Sequence, residues 1–275
     1  MPAEQSPSGA LLQRLFLKRP RLLGHWISGG TELSGRRRTI FNALVKSLDA
    51  AYYSPTATTQ LREEIKHLCM GRDSGVAWAK RYLKKGFPEP QTANLPMFQR
   101  LGEWFADGGI RSAHQVGCCS GREIAWFAQQ FPGLQFTGSD CDPAVIAFLK
   151  EHWAGVPNLD FIELHMDKPI PEEANLQTDL LYASGGFHYM DPDSLLRFLV
   201  DTRSHARRIA LSQPLDRHFH PGTSQESTPR GMLSWNHPYP RLLQQAGWSR
   251  IEWREGFVPE LPKFKNIAAW AIASD

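Results

Sequence analysis

The chain has 275 residues, 41% of them hydrophobic, and a formal net charge of +3. That is enough apolar material for a full core and too small a charge imbalance to make nucleic acid an expected partner. Its four cysteines, Cys69, Cys118, Cys119 and Cys141, lack C-x-x-C spacing, which argues against a disulfide framework or a zinc knuckle and for a reducing, cytoplasmic setting. No apolar run approaches the ~18–20 residues of a membrane span, and the first residues lack the basic-then-apolar order of a secretory leader.

From Leu11 to about Phe105 the chain reads as helix. "TIFNALVKSLDAAYY", "TQLREEIKHLCMG" and "SGVAWAKRYLKKG" place apolar residues three and four apart, with prolines between the segments. Arg14, Lys18, Arg19, Arg21, Arg36, Arg37 and Arg38 make residues 14–38 strongly basic, as expected of a solvated face or arm. Residues 1–108 are therefore expected to form a helical segment covering the substrate.

From Gly109 the pattern changes. Strand-like runs at "SAHQVG", "LQFTGSD", "LDFIELH", "DLLYAS" and "RRIALSQ" alternate with helix-like runs at "REIAWFAQQF", "PAVIAFLKEHW" and "PDSLLRFLVDTRSHA". Asp142 before Pro143, and Asp191 before Pro192, are helix starts. The alternation predicts an α/β fold over 109–275, a doubly wound, mostly parallel sheet with helices on both faces. The runs "SRIEWREGF" and "NIAAWAIAS" are joined by a link too short for a helix, so the last strand is expected to insert antiparallel. Trp248, Trp253 and Trp270, in or near these runs, are expected in the core.

An open parallel sheet binds its ligand beyond the carboxyl ends of its strands. The first strand-to-helix loop, "GCCSG", carries Gly117, Cys118, Cys119 and Gly121, where glycines permit a tight turn and helix N–H groups offer donors. Nineteen residues past Gly121, Asp140 ends the second strand and is suited to accept hydrogen bonds from both hydroxyls of a ribose. After the third strand, Asp167 is either an acceptor for an adenine amino group, with Met166 beside the ring, or an ordinary loop acid. After the fourth come Gly185, Gly186, Phe187, His188 and Tyr189, where His188 is a candidate to deprotonate or orient a hydroxyl.

"QVGCCSG", "GSDCDP", "HMD" and "DLLYASGGFHYM", in that order, resemble the successive motifs of the class I S-adenosylmethionine-dependent methyltransferases, over roughly residues 109–275. The resemblance implies a seven-stranded Rossmann-like sheet with an antiparallel last strand, S-adenosyl-L-methionine as cofactor, and methyl transfer by direct displacement; the acceptor is expected to be a small molecule methylated on oxygen or nitrogen. It places Gly117, Cys119 and Gly121 in the cofactor loop, Asp140 on the ribose, Asp167 on adenine and Cys141 beside the adenine ring. Ser184, Gly185 and Phe187 fall beside the methionine part. The chain departs from the family pattern twice: Gln115 stands where an acid is usual, and Cys119 where the central glycine is usual. Gln115 can hydrogen-bond but brings no charge to the cofactor's ammonium.

Those departures leave a non-catalytic, cofactor-binding scaffold as the alternative. A nicotinamide-dependent dehydrogenase ranks lower, since no third glycine completes G-x-G-x-x-G. Residues 214–240 show neither helical nor strand periodicity and read as an active-site lid bearing His218, His220, Trp235, His237 and Tyr239 as substrate contacts. No third ligand at helical spacing accompanies His218 and His220, so no metal is expected. Cys118 and Cys119 have no identifiable base beside them and read as packing residues. Oligomeric state is not encoded in any of these patterns.

Overall fold

The computed structural model describes residues 35–54, 56–58, 61–62, 65, 74–84, 96–171, 176–231, 233–257 and 264–273. The basic residues Arg14 to Arg21, the side chains of Arg36 to Arg38, Cys69 and most of "TQLREEIKHLCMG" lie outside them. By compactness the chain divides into two units, Met1–Trp78 with Gly231–Leu233, and Ala79–Arg230 with Ser234–Asp275. In the first, helix α1 (Gly35–Tyr52) buries Leu48 and Tyr52, and Asp49 Oδ1 accepts the backbone N–H of Leu233 at 3.0 Å. Helix α2 comprises Ser74–Lys84.

The second unit is built on a seven-stranded sheet. Its strands are β1 (Ser112–Val116), β2 (Gln135–Asp140), β3 (Leu159–Glu163), β4 (Thr178–Ser184), β5 (Ala206–Asp216), β8 (Trp248–Phe257) and β9 (Phe264–Ala273). The order is β3-β2-β1-β4-β5-β9-β8, parallel from β3 to β5. Strand β9 runs antiparallel to both its neighbours. The order reverses between β1 and β4, which puts the carboxyl ends of those two strands, and the loops leaving them, at one crevice.

Both faces of the sheet are covered, and β4 shows why four successive residues on it are buried. Leu181 and Ala183 join an apolar cluster with Leu195 and Phe198 of α6 (Pro192–Asp201) and Leu242 and Leu243 of α7 (Tyr239–Gln245). Tyr182 points the other way, meeting Phe127 of α4 (Arg122–Gln130) edge-on at 6.2 Å. Phe127 in turn stacks with Phe98 and meets Phe105, both on α3 (Pro96–Ala106). Helix α3 lies within the segment read as a helical cap, yet it packs on β5 and β9. There the guanidinium of Arg208 sits 5.1 Å from the Trp104 ring and that of Arg100 5.7 Å from the Trp270 ring.

The capping aspartates act as their sequence context requires. Asp142 Oδ1 accepts the N–H of Ala144 at the start of α5 (Pro143–His152), and Asp191 Oδ1 accepts that of Ser194 at the start of α6. Three expectations need correction. The helix read through to residue 206 ends at Asp201, followed by a single 3-10 turn, because β5 starts at Ala206. Residues 214–240 are not free of regular structure: β5 runs on to Asp216, and β6 (Thr228–Gly231) and β7 (Ser234–Asn236) form a two-stranded ribbon. Trp253 is 39% exposed, because β8 is the edge strand and its indole lies over Gly222 instead of in the core. Among the described residues no helix is long and apolar enough to cross a membrane.

Candidate active site

The loop after β1 turns on left-handed backbone at Gly117 (φ 65°), Cys119 (φ 52°) and Gly121 (φ 65°). Cys118 N–H donates to Ser139 O at 2.8 Å, and Gly121 N–H to Cys118 O at 2.9 Å. The two glycines do different work. A Cβ on Gly121 would stand 2.8 Å from the Phe161 ring and 3.0 Å from Trp153 Nε1, so this glycine lets α4 close against the neighbouring chain. A Cβ on Gly117 would meet only Met166 Cε, at 3.8 Å, so its backbone is open to approach. Cys119, a non-glycine residue in left-handed backbone, carries a cost of about 1 kcal/mol. Burial raises the Cys118 thiol and pushes Cys119 up to about 12, so both are unionised and poor nucleophiles at neutral pH.

Asp140 closes β2 beside this loop. Its Oδ2 accepts the N–H of Cys119 and its Oδ1 that of Asp142, each at 3.2 Å, so the backbone fixes the carboxylate while leaving it acceptor capacity. Burial raises its carboxyl above the usual range, opposed by those backbone donors. Cys141 and Asp167 are exposed, and Met166 is half-buried with its methyl 3.7 Å from the Cβ position of Gly186. Loops from β1, β3 and β4 thus converge on Met166.

A second carboxylate, which the sequence reading passed over, stands in the first turn of α4. Glu123 Oε2 accepts Gln115 Nε2 at 2.7 Å, and Oε1 accepts Ser184 Oγ at 3.1 Å. Gln115 is itself oriented by Tyr182, whose hydroxyl donates to Oε1 at 3.5 Å. Burial pushes the Glu123 carboxyl up to about 7, against the two side-chain hydrogen bonds and Arg122. The available signal was the pairing of a neutral Gln115 with an acid eight residues later, on the helix that leaves the same loop.

After β4, Gly185 and Gly186 turn the chain into a 3-10 turn (Phe187–Tyr189) that buries Phe187 and His188. His188 Nδ1 lies 3.3 Å from Gln213 Oε1, while Gln213 Nε2 donates to Gly185 O at 2.8 Å. That orientation of the Gln213 amide requires His188 to donate from Nδ1, which leaves Nε2 as the acceptor. Burial first, then Arg230, pushes His188 down to about 3, so it is uncharged at neutral pH. Tyr189 is exposed with its ring 4.0 Å from His188.

The remaining candidates separate. His218 and His220 are exposed beyond the end of β5. Trp235, His237 and Tyr239 are buried. Both ring nitrogens of His237 are engaged, Nδ1 with Ser227 Oγ at 2.8 Å and Nε2 with Met190 O at 3.2 Å, so it braces the ribbon against the β4 turn. Tyr82 of α2 is a further residue near the loop: Arg122 Nη1 donates to its carbonyl at 2.9 Å.

The strand order, the glycine-turned loop and the acid at the end of β2 define the class I methyltransferase fold. Residues 114–208 match the family described as "Methyltransferase domain". That match runs from β1 into β5 and makes this part of the chain similar to the S-adenosylmethionine-dependent methyltransferases. Among solved structures, the N-terminal domain of EvdMO1 with SAH bound is 15% identical, with a TM-score of 0.50, covering 67% of this chain and 83% of that one. The CMeT domain of the citrinin polyketide synthase is 14% identical, with a TM-score of 0.51, covering 100% and 72%. A SAM-dependent methyltransferase from Aquifex aeolicus is 15% identical, with a TM-score of 0.48, covering 71% and 98%. At these identities the likeness to the first two is one of fold. No curated protein sequence matches the chain.

Proposed function

We propose that this chain methylates an oxygen or nitrogen of a small-molecule acceptor, with S-adenosylmethionine as donor and direct in-line displacement as the reaction. The observation that carries the reading is the Asp140 carboxylate, held by the backbone of Cys119 and Asp142 beside a loop whose Gly117 is open to approach. These residues fit the cofactor: Asp140 takes the ribose hydroxyls, Cys141, Met166 and Asp167 border the adenine, and the backbone of Gly117, Cys118, Cys119 and Gly121 forms the cradle. Gln115, Ser184, Gly185 and Phe187 flank the methionine part. When bound, the cofactor supplies a methyl group already activated by its sulfonium.

The protein's part is then to position the acceptor and exclude water. His188 offers an Nε2 lone pair that accepts a hydrogen bond from an acceptor hydroxyl. Its lowered basicity suits orientation of that hydroxyl better than removal of its proton. Tyr189, His218 and His220 are the exposed groups available to contact the acceptor, while Trp235, His237 and Tyr239 support that face from within. The three free thiols among the described residues fit a reducing, cytoplasmic setting.

Calorimetric titration with S-adenosylmethionine and S-adenosylhomocysteine tests the reading. Saturable binding is expected, weakened tenfold or more by Asp140→Ala, about 1.4 kcal/mol. No binding by the native protein would overturn it. Binding with no methyl transfer to any acceptor in a panel of phenols, alcohols and amines would favour the scaffold role.

A further inference from the structure

We infer that Glu123 is the binding site for the α-ammonium of the cofactor's methionine part, supplying from the helix the negative charge that Gln115 does not supply from the strand. The inference rests on the cofactor reading above and concerns this chain's own arrangement of charge. Three observations lead to it. First, the carboxylate of Glu123 bridges the two strand ends that face each other at the crevice, β1 through Gln115 and β4 through Ser184. Second, both of these partners are neutral donors. Among the described residues no cation lies within ion-pair distance of Glu123, and Arg122 is turned towards Tyr82, donating to its carbonyl. A part-buried carboxylate with only neutral partners is costly, and a cationic ligand offsets that cost. Third, two hydrogen bonds leave the carboxylate lone pairs to spare, and an ammonium brings three donors.

Gln115 thereby acquires a role of its own. Its amide, oriented by Tyr182, donates to Glu123 and sets the direction of the carboxylate. An acid at position 115 would meet Glu123 as a second negative charge in the same buried space. The two positions are alternatives, and this chain uses the one on the helix.

The arrangement makes affinity depend on pH. Facing Glu123 are Arg122 on its own helix, Tyr82 from α2, Cys118 and Cys119 from the loop, and Tyr182 from β4. Since burial pushes the free carboxyl up to about 7, a cationic ligand at pH 6 must first displace a proton.

The experiment is calorimetry on the full chain with two probes, S-adenosylhomocysteine and 5′-methylthioadenosine, which lacks the amino-acid part. Native affinity for S-adenosylhomocysteine is expected to rise on the order of tenfold from pH 6 to 7.5, with proton release at pH 6, while 5′-methylthioadenosine stays within about twofold. Glu123→Gln is expected to weaken S-adenosylhomocysteine about tenfold at pH 7.5, flatten its pH dependence and leave 5′-methylthioadenosine unchanged. The native pH series stands even if the variant fails to fold. If both probes follow the same pH curve, or if Glu123→Gln affects both equally or neither, the inference is overturned and the cofactor reading survives. If the native protein binds neither probe, both fall together.

Discussion

Two carboxylates flank the loop after β1, and they are held by opposite means. Asp140 ends a strand and is fixed by backbone N–H groups of residues 119 and 142, so its place follows from the turn itself. Glu123 begins a helix and is fixed by two side chains from two different strands. Burial raises both carboxyls, yet only Glu123 is carried to about 7. Backbone donors come with the fold and cannot be exchanged by mutation, whereas side-chain donors can drift.

The largest effect is expected from a change that disturbs both acids at once. Gly121→Val forces a branched side chain into left-handed backbone, with its Cβ 2.8 Å from the Phe161 ring, and is expected to cost about 3 kcal/mol or more in chemical denaturation. Burial in neutral form of His114 and His188, each held down to about 3, and of His237, held down to about 4, predicts acid lability. Their folded values lie below the ordinary 6.5. The stability they contribute is therefore complete above 6.5 and lost as pH falls towards 3–4, about 2 kcal/mol per histidine by pH 5. His237→Gln should flatten the fall of the melting midpoint between pH 6.5 and 5 relative to the native chain.

Glu123 has the opposite sign. Its folded value is raised, so its contribution to stability is complete below about 4.5 and lost as pH rises through about 7. Glu123→Gln should therefore raise the melting midpoint at pH 8 and change it little at pH 5, the mark of a group kept for its ligand at the expense of the fold. An unchanged difference between the two pH values would remove the distinction between the two acids. The smallest effect is expected at Cys119. Cys119→Gly relieves left-handed strain but frees the unfolded chain, so the net change in stability should stay within about 1 kcal/mol.

What could be read in the sequence divides along the same line as the two acids. The strands of the parallel sheet announce themselves as short apolar runs because both faces are buried, as Leu181 and Tyr182 show on adjacent positions of β4. The place of Asp140 at the end of β2 was legible because its distance from the loop is fixed by one helix and one strand. The surroundings of Glu123 were not, because they depend on Gln115, eight residues away, together with Ser184, 61 residues away on the paired strand. The β6–β7 ribbon escaped notice because strands of four and three residues are too short for an alternation to register. Trp253 was misread because apolar content alone does not reveal which strand will form the edge.

The position of β9 bears on how the sheet comes together during synthesis. It follows β8 in the chain but lies between β5 and β8, so neither of those strands has its final neighbour until residues 264–273 have been made. Until then the long outer margin of β5 presents unpaired N–H and C=O groups to whatever strand is nearby, including one from another nascent copy. A premature stop before Phe264 leaves a sticky β5 border and a β8 with no place in the sheet.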